Sequence, residues 1–150
     1  MIRFEGDRDF TQAPDELFKK LTDPNFLVVC IPDVQTVKSV STDRAELVLR
    51  PGLSFARGTL DISLKVVDAV APNSARMIID GKGIGSSSLV EATLAFAPQS
   101  NGTRVHWIAE IKELGGLLKM VPGGLIRGAA EKVVNDAWSA VGAHLAQPSS

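Results

Sequence analysis

The sequence has no tyrosine, one cysteine and two histidines among its 150 residues. Because Cys30 has no partner for an internal disulfide, we expect a reducing, cytoplasmic environment. Two histidines are too few for a multi-histidine metal site, so we expect no metal and no intrinsic cofactor. The lack of tyrosine, with only 5% aromatic residues, disfavours enzymes that need a phenol and surfaces that stack on nucleic-acid bases.

Long hydrophobic runs and an excess of one charge are also absent. The formal net charge is -1, which argues against broad nucleic-acid binding. No stretch approaches the roughly 18 apolar residues of a membrane-spanning helix, and the opening MIRFE lacks the apolar region of a signal peptide. We therefore expect a cytoplasmic protein with at most peripheral contact with the inner face of a membrane. Residues 1–146 are predicted to form one domain, followed by a disordered tail at 147–150.

The first third of the chain predicts a strand and two short helices. Residues 2–10 alternate between apolar and charged side chains, which is typical of a half-buried strand. A first helix is predicted to be capped by Thr11, and Asp23-Pro24 predicts the start of a second, which Pro32 ends. The second helix carries the apolar run FLVVCI, which we expect to wall one mouth of the protein's interior.

The rest of the chain predicts a meander of strands and one long helix. Short alternating segments separated by turns run from about residue 34 to residue 112. The segment ELGGLLKMVPGG is predicted to be a flexible apolar link, and helical periodicity begins at about Leu125 and lasts to Ala146. We therefore predict an α+β fold, with a curved antiparallel sheet of about seven strands wrapped around a long C-terminal helix.

Five segments resemble one known family. They are FTQAPDELFKKLTDPNFLVVCIPD, ARGTLDISLKV, GKGIG, NGTRVHW and GGLIRGAAEKV, and together they span nearly the whole chain. They are similar to the family of carbon monoxide dehydrogenase G subunits, within the START (SRPBCC, birch-pollen-allergen-like) superfamily of helix-grip proteins. One departure is that Asp33 follows Pro32, where family members usually have glycine.

The resemblance implies an apolar cavity between the sheet and the C-terminal helix, with a quinone-like or lipid-like ligand. It also implies a role beside a molybdenum-containing CO dehydrogenase or a related hydroxylase. The candidate cavity residues are apolar side chains from the second helix, the inward strand faces, the glycine-flanked segment at 115–125 and the long helix. They are Phe26, Ile31, Phe55, Ile62, Leu64, Met77, Ile79, Leu94, Trp107, Leu117, Leu118, Met120, Val121, Ile126, Val133 and Trp138.

Each of these candidates could instead simply fill the core. The segment at 115–125 could gate a cavity mouth or pack on the core as a loop. Cys30 has no histidine near it in sequence, and we expect a buried structural thiol. The GKGIGS segment lacks the last glycine of a dinucleotide fingerprint and precedes a strand, so we expect a bend. His106 is predicted on the polar face of its strand, with a solvated role.

Three functional hypotheses remain open. The first is a non-catalytic carrier of a hydrophobic small molecule, because the predicted inward faces hold apolar residues rather than acids or bases. The second is a cyclase or hydrolase that uses the same cavity, and we assign it no catalytic residues. The third is an assembly factor that binds a protein surface. The small-residue spacing of GLIRG also leaves a homodimer open, although such spacing is weak evidence in an amphipathic helix.

Overall fold

The computed structural model describes residues 2–50 and 58–146, which form one mixed α+β unit. The helices are α1 (Pro14–Leu21), α2 (Pro24–Cys30) and α3 (Gly123–Ala146), and a 3-10 turn spans Leu117–Met120. The strands are β1 (Ile2–Phe10), β2 (Val34–Val40), β3 (Arg44–Leu49), β4 (Leu60–Val70), β5 (Ser74–Gly83), β6 (Ser86–Gln99) and β7 (Gly102–Gly116). Phe55 and the predicted tail at 147–150 lie outside the described residues.

The strands form one antiparallel, curved sheet in the order β1-β7-β6-β5-β4-β3-β2. From β2 onwards each strand pairs with the next one in the chain, as the predicted meander requires, and β1 returns to pair with β7. The predicted fold class is confirmed. The register aligns inward positions in rows across the sheet, so that Phe4 lies opposite Ala109, and Ala109 lies opposite Ala92.

The two short helices begin where proline permits, but only one of the predicted caps is correct. Asp23 caps α2, and its carboxylate accepts a hydrogen bond from the Asn25 backbone N–H at 2.9 Å. The predicted Thr11 cap of α1 is wrong, because Ala13 occupies the cap position and its carbonyl accepts the first helical bond, from Leu17 N–H. The cap therefore lies one residue before Pro14, whose fixed φ suits a first helical turn.

Strand β7 is longer than its alternation predicts. Pairing with β6 continues to Gly116, because a bulge between Leu89 and Val90 absorbs one extra β7 residue and restores the register. The assignment of Glu113–Gly116 to a flexible link is therefore wrong. Only the segment from Leu117 to Pro122 separates the sheet from α3.

Helix α3 runs alongside β1, with residue numbers rising in the same direction. The guanidinium of Arg127 lies 5.0 Å from the centre of the Phe4 ring, and the Trp138 ring lies 6.1 Å from the Phe10 ring. At the C-terminal end the Gln12 amide donates a hydrogen bond to the Leu145 carbonyl at 3.2 Å. The helix thus spans the length of the inner sheet face.

The main hydrophobic core lies at only one end of this face, beneath the C-terminal part of α3. It joins α1 and α2 to the nearby ends of the strands β4 to β7 and to Val141 of α3. A smaller cluster, formed by Val28, Ala45, Leu47 and Ile62, lies under α2 at the β3–β4 side. The two short helices therefore close one end of the sheet.

We predict that a side chain at Gly102 destabilises the fold, whereas one at Gly128 stabilises it. Gly102 has φ of 142°, and an added Cβ would overlap the Phe10 carbonyl oxygen, whereas a Cβ at Gly128 meets nothing within 4 Å. Gly102→Ala should lower the free energy of unfolding by about 2 kcal/mol. Gly128→Ala, in a helix interior, should raise it by about 0.5–1 kcal/mol. Urea denaturation measures both, and equal effects at the two sites would contradict this account of the β6–β7 turn.

The outer sheet face carries ion pairs between β1 and β7. The Arg104 guanidinium donates to the Asp9 carboxylate at 2.8 Å. The two ring nitrogens of His106 lie 2.8 Å from Asp7 Oδ1 and 2.8 Å from Glu5 Oε2. Both ring nitrogens can donate only when the imidazole is protonated. These carboxylates are far from His106 in sequence, so the prediction of a solvated His106 did not include these contacts.

Protonated His106 should stabilise the fold in mildly acidic solution. Its pKa is raised above 6.5 by the hydrogen bond to Asp7, and also by that to Glu5. A group whose pKa is raised in the folded state contributes fully below its unfolded pKa, and the contribution is lost as pH rises through the folded pKa. His106→Gln should therefore lower the urea midpoint more at pH 5.5 than at pH 9. A midpoint difference that is constant between these pH values would contradict the assignment.

Candidate functional site

Burial of the inner sheet face falls along the strands, from the core end to the opposite end. On β7, Thr103 and Val105 are 0% exposed, whereas Trp107, Ala109 and Ile111 remain partly exposed to solvent. On β6, Phe96 and Leu94 are buried, and the inward residues that precede them in the chain are again only partly buried. The buried end is covered by α1 and α2 as well as by α3, so the inner face is less covered at the opposite end.

The inner side of α3 shows the same asymmetry. Of its described residues only Ile126 and Val141 are buried. The residues in helical phase between them, Ala130, Val134 and Ala137, are partly exposed. On the sheet, the inward alanines Ala109 and Ala92 lie opposite each other on β7 and β6. The inward residues in the middle of both the helix and the sheet are therefore only partly buried.

Three aromatic rings join α3 to the sheet at the boundary between the two ends. Trp138 of α3 lies between Phe10 and Trp107, with ring centres 6.1 Å and 6.0 Å away. Tilted aromatic pairs at these separations are favourable beyond the area that they bury. We call Phe10, Trp107 and Trp138 the aromatic cluster. It contains both tryptophans of the chain.

The Trp107 indole N–H is buried and has no hydrogen-bond partner within the described part of the chain. Leaving such a donor unsatisfied costs about 1–3 kcal/mol. The ring takes this position because Gly6 lies beneath it on β1. A Cβ at Gly6 would come within 3.0 Å of Trp107 Cζ2 and 3.2 Å of Nε1. The described residues therefore provide no acceptor for this donor.

The described cavity candidates outside the glycine-flanked segment at 115–125 divide into three groups. Buried in the hydrophobic clusters are Ile62, Leu64, Met77 and Leu94, and Ile126 is buried where α3 begins. The partly exposed residues that pack against the core are Phe26, Ile31, Ile79, Trp107 and Trp138. Val133 was predicted to face inward, but it is 43% exposed, and its neighbour Val134 takes the inward position instead.

The glycine-flanked segment that joins β7 to α3 is largely exposed. Met120 is 81% exposed and Leu117 is 56% exposed, whereas Leu118 and Val121 are partly buried. The segment begins at Gly116, which has a positive φ of 63°. Apolar side chains therefore border the end of the interface where the inner face is least buried.

Cys30 and the GKGIGS segment have structural places. Burial raises the pKa of the Cys30 thiol to about 11, so this thiol is protonated at neutral pH. A protonated thiol is a poor nucleophile. The glycine-rich segment forms the tight turn between β5 and β6, with Ile84 and Gly85 at positive φ, and no helix follows it.

An open groove of about 640 Å³ lies outside this region, at the junction of α1 and α2 with the β2–β3 turn. It is lined by both charged and apolar side chains, including Phe18, Lys19, Asp23 and Val40. Most of the lining residues are exposed, so the groove lies at the surface rather than beneath α3.

Sequence reasoning missed Arg8. The alternation of β1 places it in phase with Phe4 and Phe10, on the inner side of the sheet. Its guanidinium lies 6.0 Å from the centre of the Trp138 ring, a cation–π distance. The two-residue alternation of β1 could have identified Arg8 as the charged residue on the inner face of the strand.

Two classes of feature are not found in the described ranges. None of the helices there is both long and apolar enough to cross a membrane. Residues 2–50 and 58–146 also contain no cluster of three or more histidine, cysteine or acidic side chains arranged to hold a metal ion.

Several solved structures share this architecture. A conserved protein from Geobacillus kaustophilus is 20% identical and has a TM-score of 0.84, with 97% of this chain and 95% of that chain covered. A START superfamily protein from Mycobacterium smegmatis is 8% identical with a TM-score of 0.68, and 95% of each chain is covered. The AHSA1 protein from Silicibacter pomeroyi is 18% identical with a TM-score of 0.66, with 97% and 98% covered. These likenesses establish the START-like fold.

No match was found among curated proteins. The sequence profile of one family, that of the carbon monoxide dehydrogenase G subunit (CoxG), matches residues 6–146. The match includes every strand and helix of the fold except the first residues of β1. The chain therefore belongs to the CoxG family.

Proposed function

We propose that the protein binds a hydrophobic small molecule, quinone-like or lipid-like, between α3 and the strands β1, β7 and β6. Its proposed role is that of a non-catalytic carrier. The supporting observation is that the apolar inner face is only partly buried there, although α3 lies across it. The interior at the other end is fully packed, so the difference is local.

The chemistry of this space suits an apolar guest. Ala92, Ala109 and Ala130 offer methyl groups from two facing surfaces, and Trp107 and Trp138 form one boundary. Each methylene that moves from water into such surroundings gains about 0.8 kcal/mol. A guest with a long apolar chain therefore needs few polar contacts. The exposed apolar side chains of the segment from Leu117 to Met120 are proposed to border the entrance.

A matched pair of substitutions on β6 tests the binding site. Ala92 faces inward, whereas Ala95, three residues further on, is exposed on the outer face. We predict that Ala92→Phe fills the space and weakens binding of decylubiquinone at least tenfold, while Ala95→Phe leaves it unchanged. Quenching of tryptophan fluorescence measures the binding, because both tryptophans lie in the aromatic cluster.

The thermal stability of the same variants distinguishes a partly empty interior from a filled one. A filled interior would be overpacked by phenylalanine at a cost of about 1–3 kcal/mol. We expect Ala92→Phe to keep the wild-type Tm within a few degrees. The proposal is contradicted if wild-type protein binds neither decylubiquinone nor oleate, or if Ala92→Phe lowers the Tm as overpacking of a filled interior would.

We further propose that this carrier serves a molybdenum-containing CO dehydrogenase or a related hydroxylase, in the cytoplasm or peripherally at the inner membrane face. Membership of the CoxG family supports this association. A carrier would receive or deliver its guest while in contact with the enzyme, so binding to the enzyme and binding to the guest are separate properties of the protein.

The partner proposal predicts two separable results with purified molybdenum CO dehydrogenase. Wild-type protein should bind the enzyme in analytical ultracentrifugation and accelerate CO-dependent reduction of decylubiquinone. Ala92→Phe should still bind the enzyme but fail to accelerate the reaction, because its surface is unchanged. A complex without acceleration would favour an assembly role, equal acceleration by both proteins would contradict transport in the space beside Ala92, and absence of a complex would contradict the partnership.

A further inference from the structure

Arg8 is a charged side chain on the inner side of the sheet. Strand β1 alternates between partly buried residues, which include Gly6, Arg8 and Phe10, and exposed residues. The exposed carboxylates of this strand are bound on the outer face, where Arg3, His106 and Arg104 contact them. The sheet therefore separates Arg8 from the acidic residues nearest to it in sequence.

Within residues 2–50 and 58–146, Arg8 has neither an ion pair nor a side-chain hydrogen bond. Its contact is with the face of Trp138, with the guanidinium carbon 6.0 Å from the ring centre. A guanidinium carries five N–H donors and no acceptor, and it binds carboxylate and other oxygen groups in a planar geometry. An inward, unpaired arginine beside apolar surface is uncommon unless something else pairs with it.

A second unpartnered donor lies on the same boundary. The Trp107 Nε1–H is buried and lacks an acceptor among the described residues. It lies against Gly6, two residues before Arg8 on the same face of β1. Trp138 contacts both groups, because its ring centre lies 6.0 Å from that of Trp107. Buried donors in native proteins normally have a partner, so this buried indole N–H, close to an inward arginine without an ion pair, needs an explanation.

We infer that the bound molecule presents a hydrogen-bond-accepting oxygen, a carbonyl or a carboxylate, to Trp107 Nε1–H and the Arg8 guanidinium. This inference rests on the proposed function, since it names the end of the ligand that the aromatic cluster recognises. The apolar remainder of the ligand then extends towards Ala92 and Ala109, which lie side by side on β6 and β7 and have short side chains. The site thus orients its guest with the oxygen end at the aromatic cluster.

The two donors should contribute differently to selectivity. Trp107 supplies one neutral hydrogen bond, so it favours any oxygen acceptor over a hydrocarbon. Arg8 supplies a charge as well, so it favours a carboxylate over a neutral carbonyl. A quinone and a fatty acid are therefore two sources of the same oxygen acceptor, and substitution of Arg8 distinguishes them.

Three probes and three variants test the inference. The probes are parinaric acid, a polyene carboxylate; decylubiquinone, a carbonyl compound; and diphenylhexatriene, a hydrocarbon polyene. Trp107→Phe keeps an aromatic ring and removes the donor. Trp138→Phe is its matched control, because the Trp138 indole N–H is not a buried donor without a partner. Arg8→Met keeps the length of the side chain and removes its charge.

We expect Trp107→Phe to weaken binding of parinaric acid and decylubiquinone by about 3–10-fold and to leave diphenylhexatriene within twofold. Arg8→Met should weaken the binding of parinaric acid by about tenfold or more, that of decylubiquinone less, and that of diphenylhexatriene hardly at all. Trp138→Phe should change the affinity for all three probes by a similar factor. Such a profile supports an oxygen-binding site at the aromatic cluster.

The indole N–H signals of the wild-type protein give a measurement that needs no variant to fold. With two tryptophans, a ¹⁵N-labelled sample has two indole signals, and the Trp138 signal is the internal control. Parinaric acid and decylubiquinone should move the Trp107 proton downfield, as a new hydrogen bond does, and diphenylhexatriene should not.

The failures of the two proposals are distinguishable. If all three probes bind but Trp107→Phe and Trp138→Phe have the same profile and the Trp107 signal does not move downfield, the oxygen site is overturned and the carrier function stands. If no probe binds to wild-type protein, the carrier function and the oxygen site are both overturned. If Arg8→Met weakens the binding of diphenylhexatriene as much as the binding of parinaric acid, the role given to the charge of Arg8 is overturned.

Discussion

The interior of this protein depends on the way in which bulky and small side chains share one helix–sheet interface. Trp138 packs between Phe10 and Trp107 and so links α3 to β1 and β7. Beyond this point Ala92 and Ala109 on the sheet and Ala130 on α3 have short side chains, and these positions are only partly buried. On β7, full burial of the inner face ends at the aromatic cluster.

The core at the other end makes such an incompletely packed region tolerable. Helices α1 and α2, the ends of β4 to β7 and Val141 bury a continuous cluster, which anchors the C-terminal end of α3. The Gln12 hydrogen bond to the Leu145 carbonyl ties the same end to the segment between β1 and α1. The short apolar helix α2 lies over this packed end, with Leu27 and Val28 buried in two different clusters. The fold is therefore stabilised at one end, and the inner face at the other end is left only partly buried.

The periodicity of the sequence predicted most of the fold, and the misses have physical causes. Alternation along β1 and β4 to β7 identified the strands, and the apolar spacing of α3 identified the helix that covers them. The end of β7 was missed because a bulge resets the period between Leu89 and Val90. Thr11 was wrongly predicted as the cap of α1, because the cap lies at Ala13, directly before Pro14. Trp107 and Trp138 were singled out as candidate cavity residues, but the unpartnered indole N–H depends on Gly6, which is distant in the chain and adjacent only in the sheet. The alternation of β1 places Arg8 on the inner face, but it was not predicted there because charged residues are expected on the outer face.

Xenon binding in crystals tests the claim of an incompletely packed interior most directly, because xenon enters apolar cavities without needing any polar contact. We expect anomalous density for xenon between α3 and the β6–β7 pair, bordered by Ala92, Ala109 and Ala130, and none within the core beneath Val141. Side chains in van der Waals contact throughout that region, with no xenon density there, would contradict it.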